Sequence, residues 1–432
     1  MADRGIPPFE DCDSTLLLAE DVRIGTRDLK RTEVVVLLIA EVKCDFEALR
    51  REQRAPIHHG ASKVGPGRST MSNRREFGKA ALGGALGALL AEPGRAIAAV
   101  HKNAPGIKLC AQSGANPNDE ELLFLKQIGA EYVSVGAPPD LRTAEGFLQI
   151  KKRYADAGIT VWNIGNTSVH NMPEVTLNLS GRDRKIEEYK QYIRNLGKAG
   201  IYYTTYAHMG NGIWSSGRAT IRGASGREFD MASPNKSGVW DGKTYTEPLS
   251  HGREFTKEEI WENFTYFIKQ VAPVAEENSV RIGVHPDDPP VPVLAGVPRC
   301  IFSNFEGYKR ALEIANSPNI GICMCCGTWL EGGKQLTGKD PEEMIRYFGP
   351  NKIWKIHFRN VSAPLPHFVE TFMDNGYYDM YKIMKALRDV NYDGIVILDH
   401  TPSMAGGGNA PTAYGFAYMR ALLNRADAEA KG

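Results

Sequence analysis

The sequence predicts an α/β protein of the (β/α)8 TIM-barrel class, with a single catalytic domain over residues 100–432. Three observations carry this. Eight short β-rich runs follow one another from residue 108. Helical patterns, with apolar residues at three- and four-residue spacing, separate them. No glycine-rich phosphate fingerprint follows the first run, as it would in an open doubly wound sheet.

In order the runs are KLCAQSG (108–114), YVSVG (132–136), TVWNIG (160–165), YYTTYAH (202–208), RIGVHPDD (281–288), GICMCCG (321–327), WKIHFRN (354–360) and GIVILDH (394–400). Helix candidates between them include DEELLFLKQIG, KIEEYKQYIRNLGKAG, EEIWENFTYFIKQVAPVAEE and YYDMYKIMKALRDV. Gly158, Gly200 and Gly394 stand after helices or just before strands, where a left-handed cap is expected. The connection after the fourth run, about 209–255, is far longer than a usual βα loop. Its Gly, Ser, Arg and Trp content suits either a lid over the barrel mouth or an exposed disordered loop.

Upstream of the barrel, Arg74-Arg75 begins a pattern that resembles a twin-arginine export signal. The apolar run Ala80–Leu90 follows, and Ala96-Ile97-Ala98 fits a small-x-small cleavage site. Residues 71–99 are therefore expected to be a signal peptide, and the mature chain to be exported to the periplasm; a cytoplasmic location is the alternative. The apolar run is too short for a stable membrane span. Residues 1–70 then stand before an export signal and are expected to be a disordered, non-native upstream extension, with Met71 as the natural start.

Charge and cysteine usage narrow the function. Lys and Arg number 52 against 51 Asp and Glu, a net charge of +1, which argues against a nucleic-acid binder or an anionic-membrane binder. Seven cysteines, at 12, 44, 110, 300, 323, 325 and 326, are too few and too unevenly spaced for a disulfide scaffold.

In a barrel of this class chemistry sits at the C-terminal ends of the strands. Those ends present His285, Cys325, His357 and Asp399 on the last four runs, four candidate metal ligands from four consecutive strands. Imidazole, thiolate and carboxylate together suit a divalent transition metal with positions left for substrate. Strand alternation puts Cys323 one layer below Cys325 as a small core residue and turns Cys326 the other way. Lys355 shares the inward parity of His357 and needs a partner that the sequence does not name. His400 and Tyr414 are the candidate proton carriers. Arg359 and Asn360 are candidates either for orienting substrate or for a structural role, and the strand-end residues His208 and Asn163 are further candidates for touching substrate.

HPDDPP (285–290), CCGT (325–328), HFRN (357–360), DH (399–400) and AYG (413–415) resemble the mannonate dehydratase family. So does the stretch VWNIGNTSVHN…GRDRKIEEYKQYIRNLGKAGIYYTTYAHMGNGIW, and the likeness covers roughly residues 108–425. The resemblance implies a xylose-isomerase-like barrel that converts D-mannonate to 2-dehydro-3-deoxy-D-gluconate and water, with Mn²⁺ as cofactor. It further implies His285, Cys325, His357 and Asp399 as metal ligands and His400 and Tyr414 as the acid/base pair. Two features depart from the family: the export signal, since its members work in cytoplasmic hexuronate breakdown, and the extra cysteines beside Cys325. A thiolate ligand also favours Fe²⁺, Co²⁺ or Zn²⁺ over Mn²⁺. The expected partner is a small sugar acid, and a homo-oligomer is compatible with the sequence. The rival readings are a metal-dependent sugar isomerase or epimerase on the same barrel and an exported sugar-acid binding protein.

Overall fold

In the computed structural model eight parallel strands form the central sheet: β1 (Lys108–Ser113), β2 (Tyr132–Gly136), β3 (Thr160–Gly165), β4 (Tyr203–Ala207), β5 (Arg281–His285), β6 (Ile320–Cys325), β7 (Ile353–Phe358) and β8 (Ile395–Leu398). Their order is β3-β2-β1-β8-β7-β6-β5-β4, so the first strand pairs with the last and every neighbour is parallel. This is the expected barrel. The structure describes residues 103–431, and upstream only a short ladder, Arg23–Ile24 with Arg27–Asp28. The extension at 1–70 and the signal at 71–99 otherwise lie outside the described residues.

The open seam lies between β3 and β4, and two contacts close it. Asn171, just past β3, forms an isolated parallel bridge with Ala207. The Tyr192 hydroxyl, on helix Arg182–Lys198, bonds the Ile164 carbonyl at 2.5 Å and Thr204 Oγ1 at 2.7 Å, one partner on each strand. An apolar helix face thus delivers a polar tip to the gap, where it satisfies groups the missing ladder leaves open.

The helices form where the pattern put them. Helix Asp119–Gln127 starts on a capping box of Asn118 and Glu121, and helix Lys257–Glu277 on one of Thr256 and Glu259. Gly158 and Gly200 take φ of 78° and 65°, as left-handed caps. Gly394 does not. The left-handed residue there is Asn391 (φ 54°), and a Cβ at Gly394 would overlap the Trp354 carbonyl and the Tyr392 hydroxyl. Close approach, not φ, requires that glycine. Among the described residues no helix is long and apolar enough to cross a membrane.

The long connection is not irregular: it is built largely of short strands. Strands Ile213–Ser215, Ser237–Trp240 and Lys243–Thr246 form a small antiparallel sheet. Gly217–Ile221 and Ala224–Asp230 form another with His367–Thr371 and Asn360–Val361, from the segment after β7. Both hairpins turn on two residues of positive φ: Arg222-Gly223 (50° and 77°) and Asp241-Gly242 (46° and 77°). This is the turn geometry that matches strand twist. Trp214 and Phe229 of this segment are fully buried, so it belongs to the core, and the disordered-loop alternative does not hold.

Candidate metal and acid–base site

Parallel register brings the four strand ends to one layer. Cys325 pairs with His357, and His357 with Ile397, two residues before Asp399. Ligand atoms of His285, Cys325 and His357 all lie within 4.8 Å of one another. Asp399, just past the end of β8, completes the group. Its Oδ1 is 3.3 Å from His357 Nδ1, and its Oδ2 accepts from Cys325 Sγ at 3.5 Å.

The residues present fit a divalent ion. His285 Nδ1 lies 2.7 Å from the Pro286 carbonyl, so Nδ1 carries the proton and Nε2 offers a lone pair. His357 Nε2 meets Cys323 Sγ at 3.3 Å, while its buried Nδ1 faces Asp399 Oδ1 at 3.3 Å. Burial disfavours charge on His357, but Cys323 and Asp399 outweigh it and push the imidazole pKa well up. Burial likewise opposes charge on Asp399, yet His400, His357 and Arg359 hold its carboxyl well below the usual range. A divalent cation would supply the positive charge that the His357 proton otherwise provides.

Around this group lies a buried ionic network. Arg359, fully buried, reaches Glu331 (2.7 Å), Asp399 (3.0 Å), Glu370 (3.2 Å) and Asp288 (3.3 Å). Arg227, from the segment after β4, reaches Glu331 (2.7 Å), Asp288 (2.8 Å) and Glu370 (2.8 Å). Burial pushes Glu331 up to about 8. Burial also opposes charge on Glu370, but Arg359 and Arg227 win and hold it far below the usual range. Four carboxylates, of Asp288, Glu331, Glu370 and Asp399, thus gather around two guanidinium groups beside the ligand cluster.

His400 stands at the edge of this network with its side chain 44% exposed. Its Nδ1 is 2.9 Å from Glu370 Oε1 and its Nε2 is 3.6 Å from Asp399 Oδ1. The Asp399 charge raises its pKa. On the other side of His357 a cavity of about 250 Å³ opens between β1, β2, β3, β4 and β7. Gln112, Ser113, Ser134, Val135, Gly136, Asn163, Gly165, His170, Thr205, Lys355 and His357 line it.

The remaining expectations divide. Asn163 is in the cavity wall, where its Oδ1 accepts from Ser134 Oγ at 2.6 Å. Cys323 is buried one layer below Cys325, as parity required, although it touches His357 as well as core. Cys326 is buried in the outer core, opens helix Cys326–Thr337, and is a free thiol like its neighbours. Of the two roles open to Arg359 and Asn360, the contacts favour the structural one: Arg359 lies in the ionic network with its fork taken by carboxylates, and Asn360 Nδ2 donates to the Met373 and Tyr378 carbonyls. The Tyr414 hydroxyl donates to Asp374 Oδ1 at 2.6 Å, on an arm that Arg222 also holds, and not to a member of the cluster.

His208 is not in the lining of that cavity. The inward residues of β4 are Tyr203, Thr205 and Ala207, so His208 points out into the aromatic layer of Phe264, Phe267 and Phe302. Burial lowers its pKa to about 3. The unfolded chain therefore binds this proton first, and stability present above pH 6.5 is lost as pH falls toward 3. By pH 5 this one group costs about 2 kcal/mol relative to pH 6.5. His208→Phe should show a smaller drop in Tm between pH 7 and pH 5 than wild type, read by thermal melts. Equal drops would refute the assignment.

Sequence reasoning missed Asp288, Glu331, Glu370, Arg227 and His170. Asp288 stood in view in HPDDPP, and His170 in SVHN. Glu331 sits inside a helix and Glu370 and Arg227 on the small sheets, with no motif to mark them.

With the geometry in hand, the chain compares with known proteins as follows. The family model D-mannonate dehydratase (UxuA) matches residues 97–233 and 241–427. The mannonate dehydratase of Thermotoga neapolitana is 32% identical over 312 residues, 64% of this chain and 82% of that protein. Mannonate dehydratase 2 of Halalkalibacterium halodurans is 30% identical over 332 residues, 71% of this chain and 93% of that one. Among solved structures, the mannonate dehydratase of Streptococcus suis serotype 2 aligns with a TM-score of 0.64 at 27% identity, covering 75% of this chain and 96% of that one. An L-ribulose 3-epimerase aligns with a TM-score of 0.50 at 15% identity, covering 76% of this chain and 97% of that one, a likeness of fold alone.

Proposed function

The chain belongs to the D-mannonate dehydratase (UxuA) family and is a hydro-lyase; we propose that it converts D-mannonate to 2-dehydro-3-deoxy-D-gluconate and water in a metal-dependent reaction. One observation carries the reading: the ligand atoms of His285, Cys325 and His357 gather within 4.8 Å, with Asp399 and His400 against them. The ion is Mn²⁺, with Fe²⁺ and Co²⁺ as alternatives that a thiolate favours. Held by His285, Cys325, His357 and Asp399, it would stabilise the negative charge that develops when C2 loses its proton.

The chain's own residues do the rest. Glu370 takes the Nδ1–H of His400, which leaves Nε2 as a base for the C2 proton. Tyr414, whose phenol burial pushes up to about 12, keeps its proton at neutral pH and is the acid for the C3 hydroxyl. The C3–O bond breaks, the hydroxyl leaves as water, and the enol tautomerises, moving a proton from its C2 oxygen to C3. Asn163, Ser134 and Thr205 line the cavity beside His357 and offer hydrogen bonds to the substrate.

Purified protein with Mn²⁺ and D-mannonate should accumulate a 2-keto-3-deoxy acid. An isomer of unchanged mass, or no conversion, overturns the reading. Cys325→Ser should lose bound metal by elemental analysis, whereas Cys323→Ser and Cys326→Ser should keep it; the reverse would move the ligand role. Arg74-Arg75 and the apolar run Ala80–Leu90 support export to the periplasm. A native N-terminus near residue 99 would bear this out.

A further inference from the structure

Lys355 is the cation of the substrate cavity, and its partners are weak. It sits on the inward face of β7, two residues before His357, and is 5% exposed. Its Nζ donates to Ser134 Oγ and to Asn163 Oδ1, both at 3.3 Å and both neutral. Those two oxygens are already joined to each other at 2.6 Å. None of the ion pairs seen among the described residues includes Lys355, whereas Arg227 and Arg359 each hold three or more carboxylates. Desolvating an ammonium costs several kcal/mol unless a countercharge meets it.

The cavity that Lys355 borders has no Asp or Glu in its lining. His170 beside it is kept neutral by burial, which lowers its pKa to about 4, with Lys355 and His357 adding to the effect. The acidic groups lie instead around Asp399, across His357. The fold thus separates a cationic pocket from an anionic cluster on either side of one ligand residue.

We propose that the carboxylate of the sugar-acid substrate is the missing counter-ion of Lys355. This fixes the direction in which substrate lies: C1 toward Ser134 and Asn163 on β2 and β3, the hydroxyl-bearing carbons toward His357 and His400. The assignment rests on the dehydratase reading for the identity of the acid, but its chemistry is that of any aldonate. Lys355 binds and orients; it moves no proton.

The test compares a charged ligand with its neutral twin. In the full chain loaded with Mn²⁺ and carrying His400→Ala to slow turnover, D-mannonate and D-mannonamide are titrated calorimetrically with and without Lys355→Gln. D-mannonate should bind at least tenfold more weakly to Lys355→Gln, and D-mannonamide should change less than twofold. In the otherwise wild-type enzyme KM for D-mannonate should rise tenfold or more, with a smaller fall in kcat. Lys355→Arg should recover part of the affinity, which a folding defect would not allow, and elemental analysis should give unchanged metal content. Equal weakening of both ligands, or of neither, overturns the proposal. If wild type makes no keto-deoxy acid while Lys355→Gln still loses the anion selectively, the dehydratase reading fails and the carboxylate site stands.

Discussion

His400→Ala lowers kcat on D-mannonate by about 10²–10⁴-fold, the usual contribution of a positioned acid or base, while metal content stays at the wild-type level. The side chain is the half-exposed member of the site, held at Nδ1 by Glu370 and bordered at Nε2 by Asp399. Its removal leaves the four ligand side chains in place. A base must be unprotonated, so wild-type activity should rise with pH through the pKa of His400. The Asp399 charge and the Glu370 contact place that pKa above the ordinary 6.5. The variant should lose this limb of the kcat–pH profile. Near-normal turnover, or a profile with the limb intact, removes His400 from the chemistry.

Arg359→Met destabilises the fold by about 3–5 kcal/mol, the cost of removing one partner from a buried ion pair. Arg359 is fully buried and touches Asp288, Glu331, Glu370 and Asp399, so its loss strands several carboxylates. It also donates to Cys325 Sγ at 3.5 Å, and its removal should weaken metal retention. Lysine cannot replace it, because a single ammonium does not reproduce the planar fork. The control is Arg222→Ala, which breaks an exposed pair with Asp374 and should cost far less. Urea titration of the two variants reads the difference; a loss at Arg359 no larger than at Arg222 contradicts the network's role.

Much of this site was readable along the chain because strands alternate and barrels display their C-terminal ends. His285, Cys325 and His357 each close or nearly close a β-rich run, and parity sorted Cys323 from Cys326. The open alternatives were decided off the barrel axis. Arg359 and Asn360 follow His357 directly, but the chain leaves the barrel after Phe358 and turns both into the interior. His208 stands one residue past the end of β4, on the outward parity. The small sheets after β4 did carry a local signal, Asp241-Gly242 between Val239-Trp240 and Tyr245, which is a hairpin pattern.

What the sequence by itself determined is whatever depends on local period and order: eight strand–helix units, the strand ends, and four candidate ligand residues arriving on four consecutive strands. Parallel pairing needs no more than that order to bring those ends together. What only the tertiary structure decided is the company each side chain keeps. Arg227 lies 132 residues before Arg359, yet both share Asp288, Glu331 and Glu370. Lys355 finds Ser134 and Asn163 across the barrel, with no carboxylate in that cavity's lining. Buried charge is set by which groups burial brings within a few ångströms, and long-range pairing makes that choice. No spacing along the chain encodes it.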